Sequence, residues 1–301
     1  MRKYLLLLCC LFVSPSLFAV CQKERVQLQI LGSGGPELTD RRASTSYLLS
    51  LDGNALALID TGSGSALNFE KSGARLNDLK FVLFSHLHVD HSADFVAFLK
   101  AFYFSRRDND LFVYGPEGNQ AMPGTIEFIN GLAGSEGIYR YLAEYVDKRT
   151  PSRFKVLPKN IAIDEKTSKE VYRDKQVSLS ATPVHHGPIP TLAWRIELAG
   201  CAVTFSGDMN NQYRTLNRLA KYSDILVAHN AIPETLVGVG RQLHMPPSEI
   251  GKIAVQAQVK KLILSHRMMR TLGDENKTMR IIRQYYQGPI EFADDLDRFS
   301  P

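Results

Sequence analysis

Short apolar runs separated by turn residues dominate the chain from Val26 onward. Val26 to Leu31, Ser46 to Leu51, Ala55 to Ile59 and Phe81 to Phe84 are β-branched or apolar, each four to six residues long. Gly32-Ser33-Gly34-Gly35, Asp52-Gly53-Asn54 and Thr61-Gly62-Ser63-Gly64 punctuate them, which reads as a strand meander. The period then changes. Between Ser92 and Phe104, the residues Phe95, Val96, Phe98, Leu99, Phe102 and Tyr103 recur at helical spacing, and Leu111 to Tyr114 before Gly115-Pro116 returns to a strand. A helical, glycine-interrupted stretch follows to about residue 160. The second half repeats the logic with strands at Val177 to Val184, Leu192 to Leu198, Ala202 to Phe205, Ile225 to Ala228 and Leu262 to Leu264. Helices are predicted near Gln212 to Lys221, Pro247 to Gln258 and Asp274 to Tyr286. Two strand-rich halves with helices outside predict an α/β fold of the αββα sandwich type. No Pro-rich or Ser-rich linker divides them, so 25–301 reads as one domain.

Composition narrows the class. With 44% hydrophobic and 22% charged residues and no low-complexity tract, a disordered or fibrous chain is excluded. The net charge of +5 is scattered, a poor footprint for nucleic acid. The first 19 residues change the picture more: Met1-Arg2-Lys3, an apolar Leu5 to Val13, Pro15, and small residues up to Ala19 read as a secretory signal cleaved after Ala19. Its loss takes the charge from +5 to +3. The apolar run is shorter than the roughly 20 residues of a membrane span, so an exported protein, periplasmic or secreted, is expected. Lipidation of Cys21 is the rival, disfavoured by the bulky Val20 before it. Cys201 reads as a small buried residue entering a strand, with pairing to Cys21 the alternative in an oxidising compartment.

The chemistry concentrates where the strand Phe81 to Phe84 ends, in Ser85-His86-Leu87-His88-Val89-Asp90-His91. Residues two apart in an extended segment point to one side, so His86 and His88 can present imidazoles to one metal. As the chain turns into the helix starting near Ser92, Asp90 and His91 can face a second. Three of the eight histidines of the chain fall within the six positions His86 to His91. Trp194 in an alternating strand reads as a core or sheet-face aromatic, and Gly32-Ser33-Gly34-Gly35 as a tight turn near the site.

The run resembles the His-x-His-x-Asp-His signature of the metallo-β-lactamase superfamily. That resemblance implies a further histidine, here His185 or His186, a bridging aspartate, Asp208, and a final histidine, His266, each at a strand end. Within the superfamily the chain is most similar to the ribonuclease Z and phosphodiesterase branch. His186-Gly187 leading to Trp194-Arg195 looks like that branch's His-Gly followed by Gly-Tyr-Arg, and it favours His186 as the ligand with His185 at the rim. Asp60 matches the early aspartate that supports the metals, and His244 stands where the branch carries a catalytic histidine. Two departures are visible: His244-Met245-Pro246 replaces His-Ser-Thr, and His229-Asn230-Ala231 replaces His-Glu-Ala, with His229 expected to support the site rather than bind metal. Only 21 residues separate His186 from Asp208, leaving no room for the arm that grips transfer RNA in the branch. The extra length lies at Phe104 to Val156, either a lid or rim over the metals or plain scaffold.

The resemblance implies a dinuclear hydrolase with two divalent cations, zinc for an imidazole and carboxylate donor set, or else manganese or iron. Asp90 would orient the attacking water and His244 would protonate the leaving alkoxide. A small-molecule or nucleotide-like ester is the expected substrate, transfer RNA is not, and a homodimer is compatible with it. A lactone, sulfate-ester or β-lactam hydrolase is the rival enzyme, and an inactive metal-binding module the rival outside catalysis.

Overall fold

The computed structural model describes residues 20–301, and the expected signal, 1–19, lies outside the described residues. The apolar runs pair into two sheets of seven strands. One contains β1 (Val26–Gly32), β2 (Ser46–Leu51), β3 (Asn54–Ile59), β4 (Phe81–Leu83), β5 (Leu111–Pro116) and β6 (Val156–Ile161). The other contains β7 (Lys169–Arg173), β8 (Val177–His186), β9 (Ile189–Leu198), β10 (Cys201–Phe205), β11 (Ile225–His229), β12 (Lys261–Ser265) and β13 (Ile290–Phe292). The last strand, β14 (Arg298–Phe299), returns to the first sheet beside β1. The orders are β14-β1-β2-β3-β4-β5-β6 and β7-β8-β9-β10-β11-β12-β13. Read in those directions, each sheet makes three antiparallel pairings and then three parallel ones.

Helices complete four layers. In chain order they are α1 (Ser65–Ser72), α2 (Val89–Ser92), α3 (Phe95–Tyr103), α4 (Thr125–Ala133), α5 (Ala143–Val146), α6 (Leu216–Leu219), α7 (Val239–Leu243), α8 (Pro247–Gln256) and α9 (Glu275–Ile282). Buried Phe69, Phe98, Phe102, Ile129, Tyr145 and Phe154 pack α1, α3, α4 and α5 against the first sheet. Leu216, Ile250, Ile253 and Ile282 do the same for α6, α8 and α9 on the second. Between the sheets lies a core of inward strand residues including Leu28, Tyr47, Phe81, Trp194, Phe205 and Val227. Trp194 is fully buried there, and its indole N–H donates to the Phe84 carbonyl at 2.9 Å, tying β9 to the end of β4. This is the αββα sandwich that the two-period pattern predicts.

The structure departs from the sequence expectation in four places. The helical stretch to about residue 160 ends early, because Val156–Ile161 is an edge strand; its Pro158 is tolerable only at an edge. The helix expected over Gln212 to Lys221 shrinks to four residues, since Asn211 and Arg214 take left-handed backbone angles, φ 64° and 53°. Phe104 to Val156 forms no helical lid: β5 is a strand of the first sheet, α4 and α5 pack on its outer face, and Asn119 after β5 reaches the second sheet, its Nδ2–H donating to the Pro188 carbonyl. Cys201 is buried, but it is also disulfide-bonded to Cys21, and the adjoining Gln22 N–H donates to the Ala199 carbonyl. No helix among the described residues is long and apolar enough to cross a membrane.

Candidate metal centre

The C-terminal ends of β3, β4, β8, β10, β11 and β12 meet at one edge of the sandwich, and they deliver Asp60, His86, His186, Asp208, His229 and His266 to one place. His88, Asp90 and His91 follow β4 through the first turn of α2. Two triads result. His86, His88 and His186 form one and Asp90, His91 and His266 the other, the donor atoms within each lying within 4.8 Å of one another. Asp208 stands between them: Oδ2 is 3.7 Å from His186 Nε2 and 3.7 Å from His91 Nε2, and Oδ1 is 3.3 Å from His266 Nε2. Asp90 Oδ2 lies 3.5 Å from His91 Nε2 and 3.3 Å from His266 Nε2.

Hydrogen bonds at the outer nitrogens aim these rings inward. Asp60, buried at the end of β3, accepts from the Ser85 N–H at 2.6 Å, the Ser85 hydroxyl at 2.7 Å and His91 Nδ1–H at 2.8 Å. With its one proton on Asp60, the Ser85 hydroxyl accepts from His86 Nδ1–H at 3.1 Å. His186 Nδ1–H donates to the Leu243 carbonyl at 3.0 Å. Each bond leaves Nε2 facing the centre, the usual arrangement behind a metal-binding imidazole. The backbone is shaped to match. Asp60 and His266 adopt left-handed φ of 57° and 53°, a conformation costing a non-glycine residue about 1 kcal/mol or more. Gly62 is obligatory, because a Cβ there would lie 2.2 Å from the Asp90 carbonyl oxygen.

The electrostatics describe a site short of positive charge. Burial, together with neighbouring His91 and His186, pushes His86 far below the ordinary imidazole range, and burial also lowers His88 and His186. Against their burial, His91 is driven up by Asp90 and Asp60, and His266 to about 9 by Asp208 and Asp90. Asp90 and Asp208 are held well below the usual carboxylate range in spite of burial, by His91 and His266 for the first and by His266 and His244 for the second. The carboxylates thus favour positive charge at His91 and His266, where cations would sit. His91 Nε2, His266 Nε2 and His244 Nδ1 are buried without a hydrogen-bond partner, as ligand atoms would be. The donor set of imidazoles and carboxylates without thiolate fits a pair of divalent ions, whose binding would displace protons from His91 and His266.

The remaining expected residues fall around this centre. His244 follows α7 with Nδ1 3.8 Å from Asp208 Oδ2, and burial with His266, His186 and Arg270 lowers its pKa to about 3. His229 binds Asp208 Oδ1 through Nδ1–H at 2.7 Å, and burial holds it near 4, hence neutral. His185 is apart from them: β8 alternates, so its ring faces away from that of His186 and packs edge-on to Tyr213 at 5.1 Å. Tyr47, Ser85 and Arg270 escape the sequence reading. Ser85 adjoins the motif and could have been weighed; Tyr47 looks like any strand aromatic. Arg270, whose Nε–H donates to the Ala231 carbonyl, carries only its distance of four residues from His266 as a signal.

Comparison with known proteins agrees with this geometry. A beta-lactamase superfamily domain matches residues 57–267, an interval that begins in β3 and closes one residue past His266. Ribonuclease Z of Mycolicibacterium gilvum (strain PYR-GCK) is 30% identical over 289 residues, covering 91% of this chain and 95% of the relative. Ribonuclease Z of Mycobacterium sp. (strain KMS) is 29% identical over 287 residues with the same coverage, 91% and 95%. Among solved structures, the short form of human tRNase Z superposes with a TM-score of 0.68 at 19% identity, over 91% of this chain and 98% of its own. With two triads at the strand ends and a match spanning both, the chain belongs to the metallo-β-lactamase superfamily, as a metal-dependent hydrolase of the ribonuclease Z-like branch.

Proposed function

We propose that the chain is an exported phosphodiesterase that uses two zinc ions to cleave a small or nucleotide-like phosphodiester. The observation that carries the reading is Asp208 shared between two ligand triads, with His244 beside it. Ions bound there supply Lewis acidity, which lowers the pKa of water and neutralises charge on a phosphoryl oxygen. The protein's own groups do the rest. Asp90 accepts a hydrogen bond from the attacking water and orients it. His244 delivers a proton to the departing alkoxide as the P–O ester bond breaks. His244 is neutral at rest, so it takes up a proton from solvent as the substrate binds; the phosphodiester anion alongside raises the imidazole pKa, offsetting the burial and cationic neighbours that depress it.

The substrate range follows from what stands between His186 and Asp208. β9 and β10 fill that interval, connected only by Gly187-Pro188, Ala199-Gly200 and Ser206-Gly207. An RNA-gripping arm has no place to originate, which supports a small substrate over transfer RNA. With zinc or manganese added, the purified protein is expected to hydrolyse bis(p-nitrophenyl) phosphate and a nucleoside p-nitrophenyl phosphate, and to leave precursor transfer RNA uncut. Turnover of a lactone, a sulfate ester or nitrocefin with no phosphodiester cleavage would overturn the reading.

Two features support export. The first 19 residues have the pattern of a cleaved signal, and the disulfide between Cys21 and Cys201 is a bond that persists mainly in oxidising compartments. When the full chain is produced in a bacterium, the mature protein is expected outside the cytoplasm, beginning at Val20 and resistant to thiol alkylation at Cys21 and Cys201. An intact Met1 with both thiols free would contradict this.

A further inference from the structure

Beneath the metal centre one side chain of the first half reaches a histidine of the second that stands behind the ligands. Tyr47 lies in β2, with no exposed surface, and its hydroxyl is 3.0 Å from His229 Nε2 at the end of β11. The other nitrogen of His229 is 2.7 Å from Asp208 Oδ1. The ring of His229 stacks on His266 at a centroid distance of 4.9 Å and lies 5.8 Å from that of His91, so it is wedged among the ligands without facing either triad.

A carboxylate only accepts hydrogen bonds, so the proton of a neutral His229 must sit on Nδ1 to meet Asp208. That leaves a lone pair on Nε2, fully buried and in need of a donor, and the Tyr47 hydroxyl is placed to supply one. The other tautomer would set the Nδ1 lone pair against Asp208 Oδ1 at 2.7 Å, turning attraction into repulsion. Each of the three groups thus depends on the one before it. Tyr47 holds the ring in the tautomer that Asp208 requires, the ring anchors Oδ1, and the set of Oδ1 determines where Oδ2 meets His186 and His91.

We propose that Tyr47 is a positioning residue for the metal centre, acting across the sandwich through His229 to orient the carboxylate that both triads share. The inference rests on the dinuclear reading above. It also explains why a histidine so close to the metals is not available as a ligand: both nitrogens are already engaged.

The test is a double-substitution cycle read by cobalt titration, with the visible spectrum of bound Co2+ recorded for the wild type, Tyr47→Phe, His229→Ala and the pair. Circular dichroism of the metal-free proteins checks folding. Groups that orient ligands are typically worth about 10- to 100-fold in metal affinity, so Tyr47→Phe is expected to weaken Co2+ binding by that order and alter the spectrum while the fold persists. Tyr47→Phe added to His229→Ala should cause no further loss. Wild-type affinity in Tyr47→Phe, or a full additional loss in the pair, would overturn the proposal. If His229→Ala fails to fold, His229→Asn, whose amide keeps a donor toward Asp208 and loses the acceptor for Tyr47, serves in the same cycle. A wild type that binds fewer than two ions sinks the dinuclear reading itself, an outcome distinct from failure of the Tyr47 relay.

Discussion

Asp208→Ala is expected to cut hydrolysis by at least about 1,000-fold, the equivalent of ~4 kcal/mol of lost charge stabilisation in the transition state. The size follows from position. Asp208 is within 3.8 Å of His91, His186, His244 and His266, and it takes the hydrogen bond from His229. Among the described residues, no other side chain touches both triads so evenly. Its removal takes away a buried negative charge that both ions would share, so elemental analysis of protein purified without chelator should fall from about two ions per chain to one or none. Asp208→Asn, which keeps the shape and loses the charge, should lose nearly as much metal. Unchanged metal content in both variants, with activity retained, would mean that the carboxylate is not a ligand and that the two clusters have been misread.

His244→Ala is expected to lower turnover by about 100- to 10,000-fold with metal content unchanged, the usual range for losing a general acid. The loss should shrink for a nitrophenolate leaving group, which departs without a proton. A uniform loss across leaving groups would assign His244 to substrate binding. Loss of metal would make it a ligand, an outcome the geometry gives substance: donor atoms of His186, Asp208 and His244 lie within 4.8 Å of one another. The depressed pKa of His244 sets the pH behaviour expected if it is the acid. Free protein should show no titration of this group near neutrality, because it is already deprotonated above about 3, whereas the complex with a non-hydrolysable phosphodiester should show one shifted upward.

How far a sequence can be read depends on whether each residue's environment leaves a periodic mark. β1, β2, β3, β4, β5, β8, β9, β10, β11 and β12 are flanked on both sides by other strands, and their apolar runs announce them. The four strands that escape notice, β6, β7, β13 and β14, are the four sheet edges. Edges carry polar residues that discourage pairing with other chains, as Lys169-Glu170-Val171-Tyr172-Arg173 does in β7, so alternation fades where it is sought. All the ligands come from interior strands or from the turn after β4, which is why their places could be anticipated. The gap concerns what stands behind them. Nothing in Ser46-Tyr47-Leu48 separates a tyrosine that faces His229 from one that simply fills the core, because that contact is made by a strand 182 positions away. The Cys21 to Cys201 bond could be read only as an alternative for the same reason, being fixed by the turn between β9 and β10 rather than by any local spacing.

That bond and the metal centre occupy opposite ends of the sandwich. Cys201 opens β10, and Asp208 follows its far end. Cys21 leads into the first sheet while Cys201 belongs to the second, just as His86 and His91 come from one sheet and His186 and His266 from the other. The two layers are therefore fastened like a book clasped along both margins. Between the margins the buried core holds the layers together, so each fastening guards one end of that core against entry of water. Chelator and reductant together are therefore expected to lower the melting temperature more than either alone, each loosening one margin of a sandwich whose core still holds the layers.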